Sequence, residues 1–376
     1  MILSIAQETL AQGLSVVSKA VESRPTLPVL ANILLEAEGS TLSLTATNLQ
    51  MSISWKRSAK IDREGAITLP AKTFVDLINN LSSGSIVNME LDTSNNTMRI
   101  SSGSTKANIK GIDADEYPPV THGTQYDLEI DARLFQDMIV KTAFAVSKEE
   151  SRPILTGVYT LIEGEKVTMA AADGFRLSVR TGRIEPGTSQ KVELVIPARA
   201  LNEVARVIDD KTKTIGITLP SKRDLVTFHL GDVQVSSQLL EGRFPDFAAI
   251  IPRSYTTSTL LDRAEFLKQC KRAEIFSRDN SNISRLYVMP PKAPGQGGTV
   301  IIAGKSAERG DTDGALDAHI EGQPLDVSFN IRYLIDVLNV IDKPNVVFES
   351  NGAEYPGVIR IQDDDTFVHV IMPMSR

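Results

Sequence analysis

The stretch Leu69-Pro70-Ala71-Lys72 decides the fold, because it returns as Ile196-Pro197-Ala198-Arg199, 127 positions later in a chain of 376 residues. A fainter third copy, Phe329-Asn330-Ile331-Arg332, stands 133 positions after the second. Self-similarity at a nearly fixed period indicates one structural unit that is repeated along the chain. The sequence therefore predicts three copies of one unit, each about a third of the chain.

Two further landmarks keep the same spacing. Ser23-Arg24-Pro25 returns as Ser151-Arg152-Pro153 after 128 positions, and Tyr117-Pro118 returns as Phe244-Pro245 after 127. The turn-rich run Pro290–Gly298 accounts for the longer third interval, because surface loops absorb insertions at small cost. The predicted domain bounds are 1–122, 127–252 and 255–376.

Each unit is predicted to fold in the same order. An amphipathic helix, as in residues 131–147, precedes strands such as Thr41–Thr45 and Lys166–Met169, in which apolar and polar residues alternate. A second helix follows the Pro-Ala element, and short strands close the unit. Helices with one apolar face beside sheets with one buried face predict an α+β fold.

Composition excludes several classes of protein. The residues are 41% hydrophobic and 23% charged, as in globular proteins and unlike disordered or fibrous ones. No apolar run reaches the ~18 residues of a membrane span and no secretory signal stands out, so we expect a cytoplasmic protein without a membrane partner. A single cysteine permits no internal disulfide.

No catalytic constellation emerges from the residue patterns. Gly304-Lys305-Ser306 matches the end of a phosphate-binding loop, but the glycine required five positions earlier is Thr299, and residues 300–303 predict a buried strand. Cys270 lies on the apolar phase of a predicted helix, and Asp363-Asp364-Asp365 favours a hairpin turn over a cation site. The four histidines lack metal-ligand spacing. We predict a non-catalytic protein without metal or cofactor, with a nucleotide hydrolase as the enzymatic alternative.

Positive charge is concentrated on the predicted helices. Their six segments sum to +2 in a chain of net charge −7, which leaves −9 for the remainder. Solvated helix faces and a DNA-binding surface explain this bias equally well. The basic residues on these helices and beside them are Arg24, Lys141, Lys148, Arg152, Arg199, Arg206, Arg263, Lys268, Lys271 and Arg272.

Motifs along the entire chain carry a family resemblance. They are Arg24-Pro25-Thr26-Leu27-Pro28-Val29-Leu30 with Asn32, Leu42–Leu49, Asp173-Gly174-Phe175-Arg176-Leu177, Glu241–Asp246, Arg285–Val288, Phe329-Asn330 with Tyr333, Asp336–Asn339 and Val370–Met374. With these motifs the chain resembles the bacterial β sliding clamps, the processivity subunits of DNA polymerase III.

The resemblance implies three α+β clamp domains per chain and two chains joined head to tail in a six-domain ring, with helices inside and sheets outside. Packed helices lie about 8–10 Å apart, so twelve inner helices enclose a circle about 35 Å across, whereas six enclose only about 18 Å. A duplex about 20 Å across fits only the larger circle.

The implied function is to encircle duplex DNA without sequence preference and to confer processivity on the replicative polymerase, in the cytoplasm at the nucleoid. The implied partners are the polymerase catalytic subunit, the clamp loader, translesion polymerases, ligase and mismatch-repair proteins, all bound through short clamp-binding peptides. A three-domain interaction scaffold that does not encircle DNA is the alternative.

DNA contacts are implied at two places. Family contacts correspond to Arg24 and Lys72 in the first unit and to positions 149 and 152–154 in the second. Some relatives carry aromatic residues after the arginine, where this chain has Pro153 and Ile154. Exposed basic helix residues extend the set. The candidate DNA-binding residues are Arg24, Lys72, Glu149, Arg152, Pro153, Ile154, Arg199 and Arg206.

The resemblance also implies a pocket, between the second and third domains, for peptides of the Gln-Leu-x-Leu-Phe kind. Without the resemblance, Met372 and Met374 favour only a terminal core strand. Ala172 replaces a family hydroxyl residue, Phe175 a histidine and Ala249 an arginine. The implied pocket residues are Leu155, Ala172, Gly174, Phe175, Arg176, Leu177, Pro245, Ile250, Asn330, Tyr333, Val370, Ile371, Met372, Pro373 and Met374.

A dimer seam is implied between the first domain of one chain and the third of the other. Glu308, Asp311 and Asp313 carry charge opposite to that of Lys106, which favours one orientation of the two chains. The candidate seam residues are Lys106, Ala107, Ile109, Ile275, Phe276 and Glu308.

Overall fold

The computed structural model describes residues 1–22, 24–120, 123, 125–220, 224–291 and 297–374. Ser23 and His122 lie outside the described residues, as does most of the predicted insertion Pro290–Gly298. The folded chain forms two compact units, which do not coincide with the three sequence repeats and which we call the first and the second unit. The first comprises Met1–Arg133 and Arg199–Leu239, and the second comprises Leu134–Ala198 and Leu240–Arg376.

The same order of elements occurs three times along the chain. The first series is β1 Ile2–Ala6, α1 Gln7–Val17, β2 Asn32–Glu38, β3 Thr41–Thr47, β4 Met51–Ser58, β5 Lys60–Arg63, β6 Gly65–Pro70, α2 Ala71–Asn79, β7 Ile86–Asp92, β8 Thr97–Ser102 and β9 Thr105–Lys110. The second series is β10 Leu128–Asp131, α3 Ala132–Thr142, β11 Gly157–Ala172, β12 Arg176–Pro197, α4 Ala198–Val207, β13 Thr214–Thr218, β14 Leu225–Leu230 and β15 Val233–Gln238.

The third series completes the described elements. It is β16 Thr257–Asp262, α5 Arg263–Ser277, β17 Ile283–Met289, β18 Gly298–Ser306, β19 Gly310–Gly322, β20 Leu325–Asn330, α6 Ile331–Val340, β21 Asn345–Ser350, β22 Gly357–Ile361 and β23 Asp364–Ile371. In the second series β11 takes the place of two shorter strands and β12 of three, and in the third series β19 takes the place of two. The predicted repeat, the six predicted helices and the mixed α+β composition are therefore confirmed.

The repeated stretch marks a helix start in every copy. Pro70 precedes α2 with φ −54°, so its ring holds the backbone near helical φ where the helix begins. Asn330 precedes α6, and its side-chain oxygen accepts a hydrogen bond from the Arg332 backbone N–H at 3.1 Å. The sequence landmark thus reflects a local requirement for starting the second helix.

The described strands form three sheets. The first unit holds the orders β5-β1-β7-β8-β9 and β10-β13-β14-β15-β4-β3-β2-β6, and the second holds β11-β12-β23-β22-β21-β16-β19-β18-β17-β20. In the first unit β15 pairs antiparallel with β4, with Val233 opposite Trp55. In the second, β23 pairs antiparallel with β12, with Ile371 opposite Arg176. Backbone hydrogen bonds therefore join neighbouring repeats within each unit.

The helix α5 packs on β18 and β19 in the second unit. Cys270 is fully buried there, and desolvation raises the pKa of its thiol well above the ordinary value, which keeps it an unreactive core residue. A Cβ at Gly304 would overlap the Ala273 carbonyl, so glycine permits the close approach of helix and strand. The strand predicted at residues 300–303 is part of β18, which continues through Gly304-Lys305-Ser306, so these three residues lie in a paired strand and not in a phosphate-binding loop.

Two further sequence features have a structural role. Asp363 has φ 61° in the turn between β22 and β23, which confirms the predicted hairpin. None of the helices in the described ranges combines the length and apolarity that crossing a bilayer requires.

Candidate functional site

A tight loop between β11 and β12 organises the candidate pocket in the second unit. The Asp173 side-chain oxygen Oδ1 accepts hydrogen bonds from the Phe175 N–H at 2.9 Å and the Arg176 N–H at 3.0 Å. Gly174 has φ 95°, a conformation that glycine adopts without steric cost. This short-range turn projects the Phe175 side chain outward and the Arg176 side chain inward, where they are exposed and buried respectively.

Arg176 is a buried hub and not an open ligand group. Its Nε donates to Asp173 at 3.0 Å, its Nη1 to Asp336 at 2.6 Å, and its Nη2 to the Phe144 carbonyl at 3.0 Å. The guanidinium also lies 4.5 Å from the centre of the Tyr333 ring. Arg176 therefore fixes the loop to α6, and its charge is neutralised within the protein.

The floor of the pocket is apolar. Leu155, Leu177 and Val370 belong to one buried apolar cluster, which also contains residues of β11, β12 and β23. Ala172 packs against this cluster. Tyr159 and Phe247 extend the cluster through ring contacts with Phe244 at 5.4 and 6.3 Å. Such a surface can bury leucine or aromatic side chains of a ligand.

Three of the predicted pocket residues are large apolar side chains that are exposed. Phe175 is 49% exposed, Ile250 42% and Met372 38%. The Met372 N–H donates to the Phe175 carbonyl at 2.8 Å, which holds two of the three side by side. Exposed hydrophobic residues next to an apolar floor are typical of a protein-interaction site.

The remaining predicted pocket residues have varied environments. Ile371 faces a different buried cluster, the core around α5 and α6, so its side chain does not line the floor. Asn330 uses its side-chain oxygen to cap α6. Tyr333, Pro373 and Met374 are half-buried, and the exposed members are Gly174 and Pro245, with Ala249 exposed nearby in sequence.

The candidate DNA contacts of the first unit are exposed. Arg24 and Lys72 carry no ion pair among the described residues, and Lys72 lies in the first turn of α2. Arg199 donates to the Lys19 carbonyl at 3.4 Å, and Arg206 pairs with Glu203 at 2.6 Å. The Arg206 side chain is exposed, whereas that of Glu203 is buried, so this pair partly neutralises the charge of Arg206.

The candidate DNA contacts of the second unit lie on a single short segment. Arg152 approaches Glu149 at 4.0 Å, and both side chains are more than half exposed. Pro153 begins a 3-10 turn in which Ile154 is half-buried. A Cβ at Gly174 would lie 3.4 Å from Arg152 Nη1, so the guanidinium lies beside the pocket loop.

One basic residue of the charge pattern is not available to DNA. Lys141 is buried, with ion pairs to Asp137 and, at 3.5 Å, to Asp342. Arg180 pairs with the same Asp137 at 2.8 Å and with Asp364 at 2.9 Å. The expectation that Lys141 belongs to an exposed basic surface is therefore wrong, because its side chain is buried and paired with one carboxylate on its own helix and one distant in sequence.

The predicted seam residues lie on edges and exposed faces. On β9, Lys106 is exposed and Ala107 is half-buried, whereas Ile109 is buried in the first unit. Ile275 is half exposed on α5, and a groove of about 390 Å³ beside it is lined by Ala264, Leu267, Lys268, Lys271 and Arg272. Phe276 is half-buried, and Glu308 is exposed in the turn between β18 and β19.

His369 is a buried residue that sequence reasoning missed as a feature of the site. It lies on β23, its ring centre is 5.3 Å from that of Phe144, and neither ring nitrogen has a hydrogen-bond partner in the described part of the chain. Burial, with the nearby Arg176 charge, lowers the pKa of His369 well below its ordinary value. The imidazole is thus held neutral.

No described group of three or more His, Cys, Asp or Glu side chains is arranged to hold a metal ion. The candidate pocket region combines a hydrogen-bonded loop, a buried apolar cluster and exposed apolar side chains. This arrangement suits the binding of a short extended peptide.

Three family models match the chain in succession. The N-terminal domain of the DNA polymerase III beta subunit matches residues 1–121, the central domain 129–246 and the C-terminal domain 248–375. The chain belongs to the DNA polymerase III beta subunit family.

Relatives and solved structures of this family are similar over nearly the full length. A beta sliding clamp of Synechococcus elongatus is 32% identical over 374 residues, 98% of each chain, and one of Bacillus subtilis is 30% identical, covering 99% of this chain and 98% of that one. The crystal structure of the Bacillus subtilis DNA polymerase sliding clamp matches with a TM-score of 0.92 at 30% identity, over 100% of this chain and 99% of that one.

A Pseudomonas aeruginosa sliding clamp bound to griselimycin matches with a TM-score of 0.91 at 26% identity, over 100% of both chains. The predicted family and the predicted fold of three repeated clamp domains are confirmed. The exact domain bounds and the individual site residues stay predictions.

Replacing the buried hub should destabilise the second unit strongly. Arg176→Ala leaves the Asp173 and Asp336 carboxylates unpaired, which should lower the free energy of unfolding by about 3 kcal/mol. Urea unfolding followed by circular dichroism measures the loss. Arg332→Ala is the matched control, because its pair with Glu274 at 3.1 Å is exposed and should contribute less than about 1 kcal/mol. Equal losses in the two variants would contradict the hub role.

Stability should depend on pH through His369. Because its folded-state pKa lies below the unfolded value of about 6.5, folding excludes a proton, and stability is lost as the pH falls below that value. His369→Phe removes this proton and should flatten the decline between pH 7 and pH 5 by up to about 1.4 kcal/mol per pH unit. Melting temperatures across that range test it, with the exposed His319→Gln as control. Parallel curves for wild type and His369→Phe would refute the assignment.

Proposed function

We propose that two copies of this chain close head to tail into a ring around duplex DNA and act as a DNA sliding clamp. The ring gives a replicative polymerase processivity by enclosure and carries out no chemistry itself. The observation that carries the proposal is a pair of complementary sheet edges that the repeat pattern leaves open.

Sheet pairing across the repeats follows one rule. The last strand of a repeat pairs antiparallel with the fourth-strand segment of the repeat before it: β15 with β4, and β23 with residues 176–180 of β12. Under the same rule the last strand of the first repeat, β9, requires a partner. The matching segment of the third repeat is residues 310–314 of β19, which among the described strands pairs only with β18.

The two edges can be aligned residue by residue. Lys106 on β9 is the equivalent of Gln234 on β15. Lys106 stands opposite Ser101 of β8, and Gln234 stands opposite His229 of β14; the two residues of each equivalent pair lie 128 positions apart. Gln234 pairs with Ser54 of β4, which also stands opposite Thr45 of the preceding strand. In the third repeat Asp313 is the equivalent of Ser54, because it stands opposite Ala303 of the preceding strand. The alignment therefore places Lys106 opposite Asp313.

Complementary charge supports this register. Lys106 and Asp313 are exposed, and continuing the same antiparallel register places Asn108 opposite Asp311. Opposite charges across a strand pair favour the alignment, and unpaired strand edges favour association. A second copy of the chain would supply a partner for both edges. Two copies are also what the size of a duplex requires, because a circle of six helices is too narrow for a duplex and a circle of twelve is wide enough.

The exposed basic residues support contact with the DNA backbone. Lys72 and Arg199 are exposed in the first turns of α2 and α4, Arg24 is exposed in the segment between α1 and β2, and Arg152 is more than half exposed. Such groups follow phosphates without reading base edges, which permits sliding. A net charge of −7 is compatible with this role because a topological link does not require high affinity.

The pocket of the second unit supports recruitment of partners. Its apolar floor and the exposed Phe175, Ile250 and Met372 suit peptides with leucine and aromatic anchors, and a flexible methionine adapts to different sequences. We assign to it the polymerase, the clamp loader, translesion polymerases, ligase and mismatch-repair proteins, in the cytoplasm at the nucleoid.

Enclosure predicts a dependence on DNA topology. The chain, loaded by its clamp loader on a nicked circular duplex, should co-elute with the DNA in gel filtration and be lost when one restriction cut makes the DNA linear. Equal retention on both forms would instead support a scaffold that grips DNA from outside, and loss from both would reject DNA encirclement.

The proposed register predicts a charge-reversal pattern. Lys106→Asp and Asp313→Lys should each weaken dimerisation several-fold, because like charges then face each other, and the double exchange should restore it to within about threefold. Sedimentation equilibrium measures the dissociation constant. Asp317→Lys is the control, since it makes the same charge change on β19 outside the aligned segment. Losses that add in the double variant would place the seam elsewhere.

A further inference from the structure

The first unit contains a second copy of the frame that shapes the candidate pocket. In the loop after β3, the Asn48 side-chain oxygen Oδ1 accepts hydrogen bonds from the Gln50 N–H at 3.1 Å and the Met51 N–H at 2.8 Å. Asp173 makes the same two bonds in the second unit. Leu49 has φ 73°, in the left-handed region that Gly174 occupies with φ 95°. The two loops therefore have the same backbone turn.

A second contact repeats with equal geometry. The Gln238 N–H donates to the Gln50 carbonyl at 2.8 Å, as the Met372 N–H donates to the Phe175 carbonyl at 2.8 Å. The end of the last strand is thus attached to the loop in the same way in both units. The frame consists of a loop, the segment that follows it and the end of a neighbouring strand.

A cavity lies on the frame of the first unit. Its volume is about 150 Å³, and it is formed within that unit alone. Typical peptide and ligand pockets measure about 300–1,000 Å³, so the cavity is small for such a site. The lining residues are Thr47, Leu49, Gln50, Met51, Ser52, Pro118, Pro119, Val120, Leu225, Ser236 and Gln238.

The chemistry of the two frames differs at matched positions. Where the second unit presents apolar side chains, the first presents amides and hydroxyls, and where the second has a glycine the first has a half-exposed leucine. The matched pairs are Gly174 and Leu49, Phe175 and Gln50, Leu177 and Ser52, Val370 and Ser236, and Met372 and Gln238.

The differences act against apolar ligands. Burying a leucine or aromatic anchor is favourable only against apolar surface, and it would cover the polar groups of Gln50 and Ser52 without supplying hydrogen bonds. Ser236 is buried, and its hydroxyl is hydrogen-bonded to that of Thr227 at 2.8 Å, so a hydroxyl stands where the second unit has the apolar Val370 side chain. Leu49 keeps the left-handed conformation despite its side chain, and that side chain lies at the cavity itself. The frame of the first unit, which we call the first peptide cradle, therefore has the same backbone as the cradle of the second unit, but the binding of apolar anchors to it is not favourable.

We propose that the chain builds the peptide cradle twice, and that Leu49, Gln50 and Gln238 with the two serines beneath them confine apolar peptides to the second copy. This inference rests on the proposed peptide function of the second unit. According to this inference, the side chains, and not the backbone of the frame, determine how many apolar peptides one chain binds.

The test exchanges exposed side chains in both directions on the full-length chain. The forward variant is L49G/Q50F/Q238M, and the inverse variant is F175Q/M372Q. All five positions are exposed, so native folding is expected, and melting curves check it. The probe is a synthetic Gln-Leu-Ser-Leu-Phe peptide carrying a photo-crosslinking group, with a scrambled peptide as control.

The wild-type chain should bind one probe and crosslink only within the second unit. The inverse variant should lose at least tenfold in affinity, because two apolar contacts are removed. The forward variant should bind two probes per chain, as measured by calorimetry, with new crosslinks at residues 47–52 or 236–238.

The outcomes separate the two proposals. Loss in the inverse variant with no second probe in a natively folded forward variant overturns the inference and leaves the peptide function of the second unit standing. Crosslinks to the first cradle in the wild-type chain also overturn it. Unchanged affinity in the inverse variant rejects the pocket assignment itself. If the forward variant does not fold, Q50F/Q238M with an intact melting curve must show the new crosslinks, and their absence overturns the inference.

Discussion

Hydrogen bonding of strand edges is the constraint on which the rest of this structure depends. A sheet edge left open invites association, and each repeat covers its edge with a strand from the next repeat. Within the two compact units this produces the β4 and β15 ladder and the β12 and β23 ladder. The same arrangement leaves β9 and residues 310–314 of β19 without such a partner among the described strands, and these are the two edges that the proposed dimer pairs.

Repetition of the backbone leaves the side chains free to diverge. The turn at Asn48 and the turn at Asp173 use the same hydrogen bonds, since both depend only on a side-chain oxygen two or three residues before the N–H groups that it accepts from. The residue that follows the turn differs in kind. Arg176 requires buried partners for its charge, whereas Met51 in the same place requires none. Function in this fold is therefore set by a few side chains on a shared frame.

Charge has two distinct uses in the chain. Lys141, Arg176 and Arg180 are buried or nearly so, and each has at least one carboxylate partner from a residue far away in sequence. These pairs hold elements together. Arg24, Lys72 and Arg199 stay in water, where a positive charge is available to a phosphate. A count of basic residues on helices cannot separate the two groups, because burial and pairing are decided by residues that the count does not include.

The sequence by itself determined the threefold repeat, through landmarks at a nearly fixed spacing, and the six helices, the strand at residues 300–303 and the core position of Cys270, through periodicity within a few residues. The pocket residues that the family motifs imply stay a prediction. Only the tertiary structure decided that Lys141 is paired, that His369 is buried without a hydrogen bond, and that the first unit repeats the pocket frame. Those facts depend on contacts between distant parts of the chain, such as Arg180 with Asp364, 184 positions apart. Local sequence carries no record of which distant group will arrive at a given side chain.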